Sequence, residues 1–253
     1  KKIYPKQMYW SREYSLSDKP FVINSDYYNS DGTAKLTVNI SEPFIVGGVS
    51  GVMVTINPFS YNPKENRLEI TDNTSFEIKI SSSQESTSLK SQSYNEFLKN
   101  ILVSYQPTEA LQSMRYLIIT APTFEAGLSS FITHKSAQGF TVDVFNTGTT
   151  GTTTTAIKSF IQARYDNAAT RPEFVLLVGD VQHIPSWIGS GEGNPNTDLN
   201  YVQLAGTDKF ADAFIGRFSV TTAQELQNAL TKSIYMESYI ATLAKKNIFM
   251  SST

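Results

Sequence analysis

Asp180 follows the apolar run Phe174 to Val178 in "EFVLLVGDVQHIP", and Asp208 and Asp212 share the stretch "AGTDKFADAFIGRF". An apolar run without a polar break reads as a strand buried on both faces, as strands of a parallel sheet are. Open α/β sheets place their sites at the carboxyl ends of such strands. In extended chain, the spacing of Asp208, Phe210 and Asp212 puts both carboxylates on one side, and alternation lets carbonyls of intervening residues join them. If that loop lies beside the end of the strand, three like charges converge. Their repulsion at contact amounts to several kcal/mol at an effective dielectric of about 20, and a hard cation relieves it. Calcium takes roughly six to eight oxygens with adaptable geometry, whereas magnesium demands strict octahedral placement. A second reading stays open, in which Asp180 shapes a turn and Asp208 and Asp212 are solvated.

The other chemical groups are thinner. His183 lies three residues after Asp180, and an Asp-His pair could be two-thirds of a nucleophilic triad. No G-x-S-x-G elbow occurs to complete it, so a loop histidine is the plainer reading. His134 flanks the apolar stripe of a helix and reads as a surface residue. Arg217 lies within a strand, where it could pair with an acidic neighbour. The glycines of "SGEGNPNTD" at 190–198 form no G-x-G-x-x-G phosphate cradle. The absence of cysteine excludes disulfides, thiolate metal sites and a cysteine nucleophile within these residues. With two histidines, a multi-histidine zinc site is excluded too. A net charge of −2 argues against a nucleic-acid partner, and no run of 18 apolar residues spans a membrane. The opening "KKIYPKQMYW" is no signal peptide, since no apolar stretch follows its lysines; export would require that such a segment had been removed or lay outside these residues.

Two rhythms position these groups. Residues 1–80 alternate at period two: Leu36, Val38 and Ile40, then Val52, Val54 and Ile56, then Leu68 and Ile70, then Phe76, Ile78 and Ile80. Turn signals separate the runs, namely "NSDG", "GG" at 47–48 and "NPKEN", where Asn66 tolerates a left-handed conformation. This predicts an all-β, antiparallel domain. Residues 81–113 read as a linker and connecting segment, with seven serines in 81–95 and a short helix around "NEFLKNILVSY". From Met114 the pattern becomes strand–helix–strand: "RYLIIT", a helix ending at Gly139, "FTVDVF", a helix through Ile157 and Ile161, "FVLLVG", and "ADAFIGRF". Thr222 and Glu225 have capping-box spacing before a long helix through Leu226, Leu230, Ile234 and Ile240, and "NIFMSS" at 247–252 reads as one more strand. Alternating strands and helices predict a parallel, doubly wound sheet over 114–253. A sheet stopping one strand after a long helix looks unfinished, which suggests a longer parent protein.

"RYLIITAP", "FVLLVGDVQHIP" and "GTDKFADAFIGRF" together resemble the gingipain-type cysteine peptidases, which have a caspase-like fold. Upstream, "PFIVGGVSGVMVTINPFSYNPKENRLEI" resembles the carboxyl-terminal part of that family's β-rich propeptide. The resemblance implies a propeptide-like domain over 1–80 and the amino-terminal part of a caspase-like α/β peptidase domain over 114–253. It also implies a structural calcium ion held by Asp180, the Ala205 carbonyl, Asp208, the Phe210 carbonyl and Asp212. The family's last ligand is commonly glutamate, one methylene longer than Asp212, and Ala205 and Phe210 replace other residues. The family's catalytic histidine, in a His-Gly motif, and its cysteine belong to later strands, and His183 does not match. The implied whole is a bacterial, secreted or cell-surface endopeptidase zymogen whose partners are the remainder of its catalytic domain and a protein or peptide substrate. A non-catalytic or transpeptidase relative acting in cell-surface binding or protein secretion is the alternative.

Overall fold

The structure is a computed structural model that describes residues 2–7, 15, 17, 19–32, 37–79, 92–103, 105–107, 114–190 and 193–240. The chain divides into two compact units: residues 1–43 with 52–83, and residues 44–51 with 84–253. The second unit therefore takes a short piece from the middle of the first.

In the first unit, the helical turn α1 (Ser25–Tyr28) is capped by the side chain of Asn24, which accepts from the Tyr27 amide. Strand β1 (Thr37–Ile40) pairs antiparallel with β4 (Val54–Asn57), and β5 (Phe59–Asn62) pairs with β6 (Arg67–Ile70). The β5–β6 turn is built as its residues predict: Asn66 has φ 53°, and the Asn62 side chain accepts from the Glu65 amide at 3.0 Å. Burial departs from the expectation. Val38, Ile40, Ile56, Leu68 and Ile70 are exposed, so among the described residues no layer covers the apolar side of the period-two pattern. Phe76 and Ile78 are also exposed, and residues 71–79 form no strand, contrary to the reading of "SFEIKI"; alternation alone does not make a strand that lacks a ladder partner. Leu36 and Ile80 lie outside the described residues.

The second unit begins with β2 (Phe44–Val46) and β3 (Val49–Gly51), an antiparallel hairpin. Gly47 and Gly48 have φ 55° and 75°, and two successive positive values are what a two-residue type I′ turn requires. Helix α2 (Gln92–Ile101) starts inside the stretch read as linker and buries Tyr94, Asn95 and Leu98. Its partner is the hairpin: Val46, Tyr94 and Leu98 form a small core with Phe44, Phe97 and Phe214 around it.

Among the described residues the main sheet is four-stranded and wholly parallel. Its strands are β7 (Arg115–Thr120), β8 (Thr141–Asn146), β9 (Phe174–Val178) and β12 (Phe214–Phe218), in the order β12-β9-β7-β8. Two short strands, β10 (Trp187–Ile188) and β11 (Asn196–Thr197), pair in the loop between β9 and β12. Alternate residues of β7 and β9 enter two cores. Leu117, Ile119, Val175 and Leu177 pack with Ile157 and Ile161 of α6 (Thr154–Asp166). Ile118, Leu176 and Val178 pack with Phe124, Phe131, Leu226 and Leu230 on the opposite face. Those come from α3 (Pro122–Glu125), α4 (Ser129–Ala137) and α7 (Ala223–Ile240), the turn α5 (Thr147–Thr150) preceding α6. Helices on both faces explain why β9 has no polar break. Tyr116, Phe174 and Phe214 occupy one rung and stack at 5.8 and 5.1 Å.

Gly139 ends α4 at φ 92°, a conformation that favours glycine. The capping box before α7 is formed: the Glu225 amide donates to Thr222 Oγ1, and Glu225 Oε2 accepts from the Thr222 and Thr221 amides. Backbone and side-chain hydrogen bonds from Thr221 hold the Glu225 carboxyl below its ordinary range. Thr222→Ala is expected to lower the unfolding free energy by about 1 kcal/mol, measured by urea denaturation. The segment "NIFMSS" lies outside the described residues.

His134 is not the surface residue its sequence position suggests. Its Nε2 lies 2.8 Å from Glu237 on α7, and Lys135 Nζ donates to the same carboxylate at 2.7 Å. Burial pushes the Glu237 carboxyl up, but the bonds from Lys135 and His134 outweigh it and hold the group below its ordinary value of 4.5. A carboxyl lowered in the folded state contributes stability above its unfolded pKa and loses it as pH falls through the folded one. Glu237→Gln should therefore flatten the decline in melting temperature below about pH 4.5 and lower the neutral-pH value, as thermal scans across pH would show.

Candidate functional site

The acidic residues are built into the loop between β11 and β12. Asp212 is buried, 3% exposed, and its own amide donates to the Val202 carbonyl at 2.7 Å. Its carboxylate folds back over the loop: Oδ2 accepts from the amides of Leu204 and Ala205, both at 2.8 Å. The remaining oxygen, Oδ1, accepts from the amide of Gly47 at 3.1 Å. Asp208 does the same one step outward, with Oδ1 accepting from the Phe210 amide at 2.8 Å and Oδ2 from the Ile45 amide at 2.7 Å. Both carboxylates thus hold the loop with one oxygen and the β2–β3 hairpin with the other.

Electrostatics follow from this. Burial pushes the Asp212 carboxyl up; the amides of Ala205, Leu204 and Gly47 pull it down, and the charge of Asp208 pushes it further up. The amides supply what water cannot reach. Around them, Phe44 packs on Phe210 with ring centroids 4.7 Å apart, and the Tyr94 hydroxyl donates to the Asp212 carbonyl at 3.1 Å. Burial pushes the Tyr94 phenol well up, so it stays a donor.

Asp180 is elsewhere in the arrangement. Its amide donates to the Val220 carbonyl, its carbonyl accepts from the amides of His183 and Ile184, and its Oδ1 accepts from Ser219 Oγ at 3.1 Å. Among the described residues, no three histidine, aspartate or glutamate side chains stand close enough together to hold a metal ion. The expected ligand set is therefore brought together only in part. Asp208 and Asp212 are neighbours, Asp180 is tied to Ser219, and Ala205 and Phe210 take part through their amides. Amide donors face both carboxylates in this arrangement. His183 meets Asp180 through the main chain, and its ring lies edge-on to Phe124 at 5.1 Å.

Arg217 does find the acidic neighbour its position suggested. Its Nε and Nη2 donate to both oxygens of Asp198 at 2.8 and 2.7 Å, and its Nη1 donates to the carbonyls of Gly179 and Ile184 at 2.7 and 2.8 Å. One guanidinium on β12 thereby fixes the turn after β9, where Gly179 has φ 135°. The Ile45, Gly47 and Tyr94 contacts were not foreseeable from the loop; the "GG" turn signal marks a hairpin but not its destination.

The model of peptidase family C25 matches residues 109–253, and that of the C25 propeptide matches residues 1–110. The chain belongs to peptidase family C25. Within its 253 residues, a C25 propeptide runs into the start of a gingipain-type cysteine peptidase domain. The C25 chain is 28% identical over 255 residues to Gingipain R2 of Porphyromonas gingivalis, covering 95% of this chain and 34% of that protein. It is 26% identical over 254 residues to Lys-gingipain of the same organism, covering 93% of this chain and 14% of that protein. The chain therefore spans about a third or less of the length of these relatives. Among solved structures it is similar to the arginine-specific cysteine proteinase gingipain R, at 28% identity and TM-score 0.45 over 52% of this chain and 30% of that one. It is also similar to the complex of Porphyromonas gingivalis RgpB pro- and mature domains, at 28% identity and TM-score 0.44 over 48% and 28%. The parallel sheet with helices on both faces fits the caspase-like fold. The hairpin that Asp208 and Asp212 hold lies within the propeptide match, and both carboxylates lie within the peptidase match.

Proposed function

We propose that this C25 chain is the amino-terminal portion of a bacterial, secreted or cell-surface cysteine endopeptidase zymogen, with protein or peptide substrates. The observation that carries the reading is the order of the two matches, propeptide then peptidase, meeting at residues 109–110. Residues 1–80 act as a mainly antiparallel β propeptide, 81–113 as the connection, and 114–253 as the first part of the caspase-like peptidase domain. In such an enzyme a thiolate attacks the scissile carbonyl and a histidine protonates the leaving amine; neither group is drawn from the residues described here. The chain's own contribution is a rigid sheet whose β9 and β12 ends are fixed by Arg217. Among the described residues, no helix is long and apolar enough to cross a membrane.

The full-length parent, once processed, should hydrolyse peptide substrates and take up an active-site thiol label. Absence of both would replace this reading with that of a non-catalytic relative acting in surface binding or secretion, and acyl transfer to an added amine in place of hydrolysis would make it a transpeptidase.

Calcium is a separate proposal for Asp180, Ala205, Asp208, Phe210 and Asp212. A cation there would take the place of the amides on Asp208 and Asp212 and would need Asp180 to leave Ser219. Millimolar calcium should then raise the melting temperature of the full chain, and chelator should reverse the rise; an Asp180→Asn chain should not respond. A calcium-insensitive melting temperature in the unaltered chain overturns the assignment.

A further inference from the structure

The hairpin β2–β3 is anomalous among the propeptide's elements. The chain on both sides of it, residues 1–43 and 52–83, forms one compact unit, while Phe44–Gly51 packs with the peptidase side. Three kinds of contact hold it there. The first is main-chain recognition, because Asp208 Oδ2 and Asp212 Oδ1 accept from the Ile45 and Gly47 amides at 2.7 and 3.1 Å. Hydrogen bonds to charged acceptors are among the stronger kind, the more so when buried. The second is apolar: Val46 is 3% exposed, and Phe44 and Val49 pack with it around Tyr94 and Phe214. The third is steric. A Cβ added at Gly47 would fall within the Tyr94 ring, so the turn is seated flush against α2.

We infer that the 44–51 hairpin is the element that retains the propeptide on the peptidase domain, and that Asp208 and Asp212 are its receptor residues. Two carboxylates that each spend one oxygen on their own loop and one on the hairpin are preorganised; the loop bonds hold them aimed whether or not the hairpin is seated. Recognition through the Ile45 and Gly47 amides assigns specificity to the turn geometry and to the apolar side chains of Phe44, Val46 and Val49. The hairpin therefore holds after the polypeptide between it and the sheet is cut. The inference rests on the zymogen reading only in treating a cut chain as the relevant state, and it concerns the arrangement in which Asp208 and Asp212 hold the hairpin amides, not a cation. Its test reads retention and not hydrolysis, so a parent without peptidase activity would leave it standing, and a hairpin that lets go would leave the zymogen reading standing.

The test uses the full chain with a specific protease site inserted at Asn73–Thr74, an exposed stretch outside any strand. After cleavage, the amino-terminal piece is expected to co-elute with the tagged remainder on size exclusion. Gly47→Val, which alters the propeptide side only, should release it. Asp208→Ala should weaken retention about ten- to a hundredfold, the factor that loss of one hydrogen bond to a charged group implies. Hydrogen exchange keeps misfolding apart from release: amides of 44–51 should exchange faster in both variants, while those of 115–120 and 174–178 stay protected. Separation of the unaltered pieces, retention of the Gly47→Val piece as tight as the unaltered one, or exchange at 44–51 unchanged by Asp208→Ala each overturns the inference.

Discussion

Arg217→Ala is expected to lower the unfolding free energy by about 3 kcal/mol, the low end of the cost of breaking a buried ion pair by removing one partner, because this pair is part-buried. The side chain is 10% exposed and that of Asp198 is 22% exposed, so the orphaned carboxylate is only partly returned to water. The variant also strips the Gly179 and Ile184 carbonyls of their donor. Lysine should rescue little, because one ammonium cannot reproduce a bidentate fork and two further bonds at once. Replacing the pair together, Arg217→Met with Asp198→Leu, should recover much of the loss, since no uncompensated charge remains. Urea denaturation of the unaltered chain, Arg217→Met, Asp198→Leu and the pair together forms a double-mutant cycle; an Arg217→Ala variant within about 1 kcal/mol of the unaltered chain would show that the brace is dispensable.

Asp212→Ala is the second large effect. It leaves the amides of Gly47, Leu204 and Ala205 without their acceptor in a buried setting. Each unsatisfied group costs about 1–3 kcal/mol, moderated where relaxation admits water, so a loss of about 3 kcal/mol is expected. Asp212→Asn separates the two duties of the side chain. Its one carbonyl oxygen can keep the two loop amides, but its amide nitrogen then opposes the Gly47 amide, donor against donor. Because burial already pushes the Asp212 carboxyl up, the neutral side chain also recovers desolvation energy. The asparagine variant should therefore lose only about 1 kcal/mol globally while its hairpin amides exchange faster. Equal destabilisation by Ala and Asn would mean that charge, and not acceptor count, matters at this position.

The peptidase-side architecture was legible because its signals are local. β7, β8 and β9 lie where apolar runs fall between helix patterns, Gly139 and the Thr222–Glu225 box mark helix ends, and Arg217 found a carboxylate. β12 is shorter than "ADAFIGRF" suggested because Ala211 and Asp212 belong to the loop that Asp212 folds over. The candidate site was legible only as an inventory. Proximity of Asp208 to Asp212 follows from spacing, but what faces them does not: the Ile45 amide is 163 residues away in sequence, and a backbone donor carries no residue-type signature. Alternation over 1–80 likewise announced extended chain without showing whether a second layer covers it, and Val38, Ile40 and Ile70 lie exposed.

Synthesis runs from the amino terminus, so the hairpin leaves the ribosome long before its receptor. The 163 residues between Ile45 and Asp208 take on the order of ten seconds to translate. During that interval the Ile45 and Gly47 amides can bond only to water or to passing chains, and the β12 edge does not yet exist. Closure of the hydrophobic pocket around Tyr94 and Phe214 is consequently a non-local event that joins an earlier part of the nascent chain to a much later one. A truncated translation product ending before Asp208 would emerge with this strand pair unquenched, a ready seed for association with its neighbours.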